Sequence, residues 1–383
     1  MNIFLTGATG FLGGELAVLL SRFPEVKRLY CLVRADDAAA AWKRMERVFQ
    51  FHEDTLDRTK VIPVAGNLED QSLVSQLSYL DGLRDVNMVI HAAADTSFSP
   101  ARNPSVERVN IGGTRRMLDW VMTLPDLRTF AYVGTASICG IELVNSHVYE
   151  DQSPNPCASH LVRYCHTKSV GEMEVSQAIP KDKLLIVRPS IIMGDSRDWR
   201  PRSYVILWAL AVMNAIRLVP AHPLASIDII PVDYAAQAIA TLLFSHRQWT
   251  TYHISAGRQS ATNLRRVLGL LSQLSPQRPG FRFVRSEMIE QMKRWPKKLG
   301  PSSELFNYPE HLAYWSSTFN GDLRLLATGM KPYFRFINLN QTFDNSRLLS
   351  DTDLPAPPAP HEYIRTTSKY LSDVDLTAGA LDP

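Results

Sequence analysis

Through the first half of the chain, short apolar runs alternate with stretches in which apolar positions recur every three or four residues. The first pattern marks strands and the second amphipathic helices. Strands are predicted over Asn2 to Thr6, Arg28 to Val33, Val61 to Val64, Val86 to His91, Thr129 to Val133 and Leu184 to Val187, with helices such as Gly13 to Ser21 and Val109 to Met122 between them. Met88-Val89-Ile90 and Leu185-Ile186-Val187 are apolar without alternation, as strands covered on both faces are. Strand and helix in turn, with strands of this kind, predict the α/β class and a doubly wound parallel sheet.

After about Arg188 the alternation fades, and prolines from Pro201 to Pro309 cut the chain into short pieces. This part reads as a smaller, irregular lobe. Ile227 to Leu243 resembles a further strand and core helix that return to the sheet. The expected division is therefore a nucleotide-binding domain over 1–188 with 227–255 returning to it, a discontinuous C-terminal substrate lobe over 189–226 and 256–350, and a Pro-rich linker and tail over 351–383. The proline run Leu354 to Pro360 is expected to be a stiff linker leading to one helix and a frayed end. The uncharged stretch Tyr204 to Met213 either packs as core, lines a substrate channel, or does both.

Composition narrows the function. The 383 residues carry 41 Lys plus Arg against 38 Asp plus Glu, a net +3 that argues against a general nucleic-acid or membrane-surface binder. The four cysteines, Cys31, Cys139, Cys157 and Cys165, form no C-x-x-C pair, so no disulfide framework or metal site is expected and a cytoplasmic setting fits. The longest uncharged apolar stretch, Tyr204 to Ile216, is shorter than the roughly 20 residues a membrane span needs. Since Ile3-Phe4-Leu5 runs straight into Thr6-Gly7, the sequence leaves no room for a signal peptide, and the mature chain is expected to begin at Met1.

Gly7, Gly10 and Gly13, in Thr6-Gly7-Ala8-Thr9-Gly10-Phe11-Leu12-Gly13, join the first strand to the first helix. Glycines there permit a tight turn and a close approach of a pyrophosphate to the positive helix N-terminus. A dinucleotide site follows, with Thr6, Thr9, Phe11 and Leu12 contributing from the same turn. Where NAD enzymes place an acid, at the end of the second strand, this chain has Arg34, with Lys43 and Arg44 one helix on. That favours a 2′-phosphate and hence NADPH; the competing reading makes Arg34 a surface charge and gives the ribose to Asp36 or Asp37. Asn67 and Leu68, Ala92 and Ala93, and Pro189 and Ile191 follow later strands and are expected to border the cofactor.

Tyr164 and Lys168 share one face of a helical turn, so the ammonium is expected to lower the phenol pKa and touch the nicotinamide ribose. Tyr164 is the candidate proton donor. Thr135, just past the strand Thr129 to Val133, is expected to donate to a developing oxyanion, with Ser137 as its competitor and loop capping as its alternative role. Asn110 is expected to hold a water in a proton relay.

On these residues the chain resembles an extended short-chain dehydrogenase/reductase of the thioester-reductase and fatty-acyl reductase branch. The resemblance also rests on Cys31-Leu32-Val33-Arg34-Ala35, Val109-Asn110-Ile111-Gly112-Gly113-Thr114, Gly134-Thr135-Ala136, Val187-Arg188-Pro189-Ser190-Ile191-Ile192-Met193-Gly194-Asp195-Ser196 and Ile227-Asp228-Ile229-Ile230-Pro231-Val232-Asp233-Tyr234, and runs to about Ser255. It implies a Rossmann-type sheet and NADPH-dependent reduction of an acyl thioester, on coenzyme A or a carrier protein, to an aldehyde and sometimes onward to an alcohol. Asn67 departs from the family, which usually has an Asp beside the adenine. The Arg188 to Ile192 segment departs from the aromatic-Asn pattern of nucleotide-sugar epimerases, which argues against a sugar nucleotide. Arg197, Arg200 and Arg202 are candidates for gripping a pantetheine or coenzyme A phosphate, and Lys293 to Lys298 for meeting an acidic carrier protein. Two other readings stand beside this one: an NADP-dependent secondary-alcohol dehydrogenase, and a dinucleotide-sensing protein without turnover.

Overall fold

Seven strands form one parallel sheet: β1 (Asn2–Thr6), β2 (Arg28–Val33), β3 (Val61–Ala65), β4 (Met88–His91), β5 (Thr129–Val133), β6 (Leu184–Pro189) and β7 (Thr251–Ile254). The spatial order is 7-6-5-4-1-2-3, so the chain winds outward from β1 in both directions and reverses between β1 and β4. Ligands of open parallel sheets bind at such a reversal, beyond the strand C-termini. The computed structural model describes residues 1–197, 205–297, 299–319 and 323–381.

The period-2 geometry of β1 sends Ile3 and Leu5 to one face of the sheet and Phe4 to the other. The Ile3 face packs against α1 (Phe11–Ser21) and α2 (Ala38–Phe51). The Phe4 face packs against α3 (Gly113–Val121) and α4 (Arg163–Ala178), with Phe4 4.5 Å from the Trp120 ring. Both faces are covered, which is why the strands read as unbroken apolar runs.

A second core lies outside the sheet. It is built around α5 (Val205–Ile216), which is buried on every described face from Leu207 to Ile216. The next helix, α6 (Val232–Phe244), returns to cover the sheet beside α1, and β7 follows it. Ile229–Ile230, read from sequence as the returning strand, instead pairs with Ile191–Ile192 in a separate two-stranded ribbon. Two later helices, α7 (Leu264–Leu274) and α8 (Leu323–Leu339), pack into the same core.

The C-terminal segment is neither a free linker nor frayed where it is described. Its prolines dock on the sheet domain, where Tyr234 Oη donates to the Pro355 carbonyl at 2.9 Å and Ser260 Oγ to that of Pro357 at 2.6 Å. Helix α9 (Pro360–Thr367) then buries Tyr363 and Ile364 in the second core, and Trp208 Nε1 donates to the Leu376 carbonyl at 2.9 Å. Proline carbonyls remain good acceptors, so a proline run can be held by neighbouring hydroxyls. Among the described residues no helix is long and apolar enough to cross a membrane, and no group of three or more His, Cys, Asp or Glu is placed to hold a metal ion.

Candidate active site

A cavity of about 660 Å³ runs along the C-terminal ends of the strands and continues under the second lobe. That volume suits a ligand of cofactor size. Of the residues expected in the catalytic group and the cofactor pocket, all line it except Thr6 and Asn110.

The turn after β1 is built from glycine because nothing larger fits. Gly7 has φ +78°, and a Cβ on it would lie 2.8 Å from the Ala93 nitrogen; a Cβ on Gly13 would lie 2.1 Å from the Gly7 carbonyl oxygen. Gly10, by contrast, is exposed, and a Cβ there would meet only the Gly7 oxygen, at 3.2 Å, before projecting outward. Phe11, Leu12 and Gly13 open the first turn of α1 to the cavity, bringing its unpaired N–H groups to the place where a pyrophosphate would sit.

At the end of β2, the Arg44 guanidinium donates to the Arg34 carbonyl and, at 3.2 Å, to Thr9 Oγ1. Burial, then the neighbouring charges of Arg34 and Arg47, hold Arg44 below the ordinary guanidinium range. One carboxylate oxygen of Asp37 caps α2, accepting the Ala40 N–H at 2.7 Å. Asn67 Oδ1 closes its own turn by accepting the Glu69 N–H at 3.1 Å.

Tyr164 and Lys168 lie on the first turns of α4 and Thr135 at the end of β5. The Thr135 side chain caps the turn at Ala136–Cys139, accepting the Ser137 N–H at 3.3 Å, and lies near enough to the Tyr164 phenol to influence its pKa. The capping role of Thr135 is thus present beside its place in the cavity wall. The phenol pKa is raised rather than lowered: burial pushes it up, Cys165 adds to that, and Thr135 pulls down. Lys168 is buried with its Nζ 4.3 Å from the centre of the Tyr132 ring, and burial lowers its pKa to about 7 against the opposing pull of Glu172. Glu172 in turn is held by Arg188, whose Nε lies 3.1 Å from both carboxylate oxygens, an ion pair buried beneath the site.

Asn110 occupies a π-helical turn at Arg108–Gly112. Its side-chain amide is folded onto Asp95: Oδ1 accepts the Asp95 N–H at 2.8 Å, and Nδ2 donates to the Asp95 carbonyl and to Thr167 Oγ1, each at 2.9 Å. Both amide hydrogens are spent on protein, so the side chain positions a loop and α4 rather than facing the cavity. Thr6 is likewise turned inward. Thr114 Oγ1 donates to the Asn110 carbonyl at 2.6 Å, so at 3.0 Å it accepts the proton of His91 Nε2. His91 Nδ1 then accepts from Thr6 Oγ1 at 2.9 Å, and Thr6 accepts the Ala93 N–H at 3.1 Å. Burial, with Lys168 nearby, lowers the His91 pKa to about 3, so this chain of bonds runs through a neutral imidazole. His91 was legible in the sequence only as the last residue of a strand.

The far half of the cavity is apolar. Leu207, Leu210 and Met213 of α5 line it, so this helix is both core and wall. Tyr333 and Phe336 of α8 line it too, and both meet Phe98, a residue that sequence reasoning passed over because it sits in a polar loop. Asp228 is the buried carboxylate in this half, bonded to the Ala256 N–H at 2.7 Å and the Phe343 N–H at 3.0 Å. Arg197 does not reach for a ligand phosphate here: it is bound to Asp195 at 2.7 Å and to Glu15 at 2.9 Å, while Arg200 and Arg202 lie outside the described residues. In the basic run, Lys293 pairs with Glu290 at 3.3 Å, and Lys298 lies outside the described residues.

Residues 5–239, more than half of the chain, match the family model described as "Male sterility protein". The chain belongs to this family. It is an extended short-chain dehydrogenase/reductase of the thioester-reductase and fatty-acyl reductase branch. Human fatty acyl-CoA reductase 2 is 27% identical over 331 residues, which are 73% of this chain and 63% of that protein. The chain thus spans a little under two thirds of that relative. The fold is shared with the terminal R domain from the myxalamid PKS-NRPS biosynthetic pathway, at TM-score 0.71 and 21% identity over 97% of this chain and 90% of that one. It is also shared with UDP-glucuronic acid 4-epimerase from Bacillus cereus in complex with NAD, at TM-score 0.63 and 16% identity over 97% and 99%. Within the male sterility family fold, the glycine cradle and the strand-end cavity fit a nicotinamide dinucleotide cofactor.

Proposed function

We propose that this male sterility family member reduces an acyl thioester to an aldehyde, with NADPH as its cofactor. The observation that carries the reading is that Thr135 and Tyr164 line one cavity that also holds a glycine cradle with two arginines and an apolar chamber. Likeness to human fatty acyl-CoA reductase 2 supports the substrate class.

When bound, the dinucleotide supplies the hydride. Thr135 and Tyr164 hold the substrate carbonyl oxygen from the same side, and both hydroxyls donate to it as negative charge develops. The raised phenol pKa keeps Tyr164 protonated until that charge appears, so it is a donor in the resting site. Its proton passes to the oxygen to give a thiohemiacetal, which then releases aldehyde and free thiol. Lys168 lies one turn along the same helix and lines the same cavity, where it is the group expected to meet the nicotinamide ribose. Asn110 keeps α4 and the Asp95 loop in place, a positioning role in place of a water-holding one.

The preference for NADPH is supported by Arg34, Arg44 and Arg47 clustered at the end of β2 and by the use of Asp37 as a helix cap. A 2′-phosphate would relieve the mutual repulsion of the guanidinium groups. An acidic carrier protein is the further partner of this reading, and Arg294 and Lys297 are exposed on the basic run to meet it.

The test is incubation with NADPH and a panel of acyl-coenzyme A and carrier-bound acyl substrates, following dinucleotide oxidation and free thiol together. One thiol per dinucleotide oxidised is expected for aldehyde formation, and one per two if reduction continues to the alcohol. Dinucleotide turnover on secondary alcohols or ketones with no thiol released would replace this reading with that of a secondary-alcohol dehydrogenase.

A further inference from the structure

We infer that Phe98, together with Tyr333 and Phe336, sets the acyl specificity of the site, admitting unbranched hydrocarbon chains and rejecting groups branched or aryl-substituted at the carbon beside the thioester carbonyl. The inference rests on the thioester reading above and adds a residue and a substrate shape to it.

Phe98 touches three rings that come from two parts of the molecule. Its centroid lies 6.2 Å from Tyr164, 5.2 Å from Tyr333 and 5.3 Å from Phe336, with interplanar angles of 33°, 33° and 26°. Phe98 therefore joins the proton donor to the two rings of α8, and all four rings line the cavity. A flat group inserted between two of them would need about 7 Å, two van der Waals separations of about 3.5 Å, and the Phe98 contacts with Tyr333 and Phe336 do not leave it. The substrate must lie along the wall rather than within it. Phe98 is half-buried, and its remaining face is toward the cavity.

The wall is fixed from both sides. On the sheet side, Asp95 Oδ1 accepts the Ser97 N–H at 3.1 Å, Oδ2 accepts Ser105 Oγ at 2.8 Å and the Arg102 guanidinium at 3.1 Å, and the Asp95 main chain is clamped by Asn110. On the lobe side, Tyr333 and Phe336 are three residues apart and share a face of α8. Tyr333 is backed by Trp208 at 5.7 Å, and Trp208 is tied to the C-terminal segment through Leu376. A wall braced in this way discriminates by shape, because yielding to a bulkier group would disturb packed neighbours on two lobes. Flexible methylene chains can follow it onward to Leu207, Leu210 and Met213. A branch or ring beside the reacting carbon meets Phe98 while the carbonyl is still short of Thr135 and Tyr164.

The test compares kcat/KM for hexanoyl-, 2-methylhexanoyl- and benzoyl-coenzyme A, read as thiol release with NADPH, in the wild type, Phe98→Leu, Phe98→Ala and Phe336→Ala. The branched-to-linear and aryl-to-linear ratios should rise about tenfold or more in the Phe98 variants. NADPH affinity, measured separately, should change by less than about twofold, since the rings Phe98 meets are those of Tyr164, Tyr333 and Phe336 and not residues of the glycine turn. Phe98→Leu keeps an apolar filler and guards against simple unfolding. Thiol release with unchanged ratios in folded, NADPH-binding variants overturns the inference alone. If the wild type releases thiol from no thioester, the functional reading fails and this inference with it.

Discussion

The two ends of the cavity are made in different ways. The cofactor end is assembled from main chain: Gly7, Gly10 and Gly13, the first turn of α1, and short segments that each follow a strand of the sheet. The substrate end is assembled from side chains of α5, α7 and α8, which lie far apart in sequence and meet only in the second core. A backbone-built site allows little variation, because its shape is set by turns and strand ends. A side-chain-built chamber can be reshaped residue by residue over the same sheet, and this contrast suits a fold shared with both the terminal R domain from the myxalamid pathway and a UDP-glucuronic acid 4-epimerase.

The largest effect expected is at the junction of the two ends. Tyr164→Phe should lower kcat by roughly 100- to 10,000-fold while leaving NADPH affinity within about twofold. Single-turnover kinetics beside a binding titration would check this, and retained turnover would remove Tyr164 from the chemistry.

Gly13→Val should act on the cofactor end alone. Its Cβ would be forced against the Gly7 carbonyl at 2.1 Å, so NADPH affinity should fall by about tenfold to a hundredfold. Calorimetric titration would measure it; unchanged affinity would mean that the turn is not where the pyrophosphate binds. Arg44→Ala should reduce the preference for NADPH over NADH by about tenfold, the loss of one charge-assisted contact. Equal losses for the two dinucleotides would instead assign Arg44 to holding the glycine turn through Thr9.

Ile364→Ala is the complementary probe, in the tail that completes the second core. It should reduce unfolding stability by about 2–4 kcal/mol, with dinucleotide affinity nearly unchanged. Denaturant titration with and without NADPH would show it, and an unchanged midpoint would mean that α9 docks without stabilising the lobe.

Much of the cofactor end was legible because the chemistry there is local. A glycine that must have φ +78° or must admit a neighbouring carbonyl leaves its mark at one position, and the strand before it and helix after it lie within a few residues. The Tyr164–Lys168 pair was legible for the same reason, through the spacing of one helical turn. The pKa order within the pair was not. Burial raised the phenol and lowered the ammonium, and burial depends on everything folded over the helix. Asn110 and Thr6 show a related limit: residue type and position marked them out, but their partners, Asp95 and His91, were chosen by packing.

The sequence by itself determined six of the seven strands, the doubly wound class and the glycine turn, because periodicity and glycine placement act over short stretches of chain. Only the tertiary structure decided that the proline-rich tail is docked, that α5 is wall as well as core, and that Phe98 faces Tyr333 and Phe336. Those contacts join residues more than a hundred positions apart, and their formation depends on how two cores close on each other rather than on any local preference.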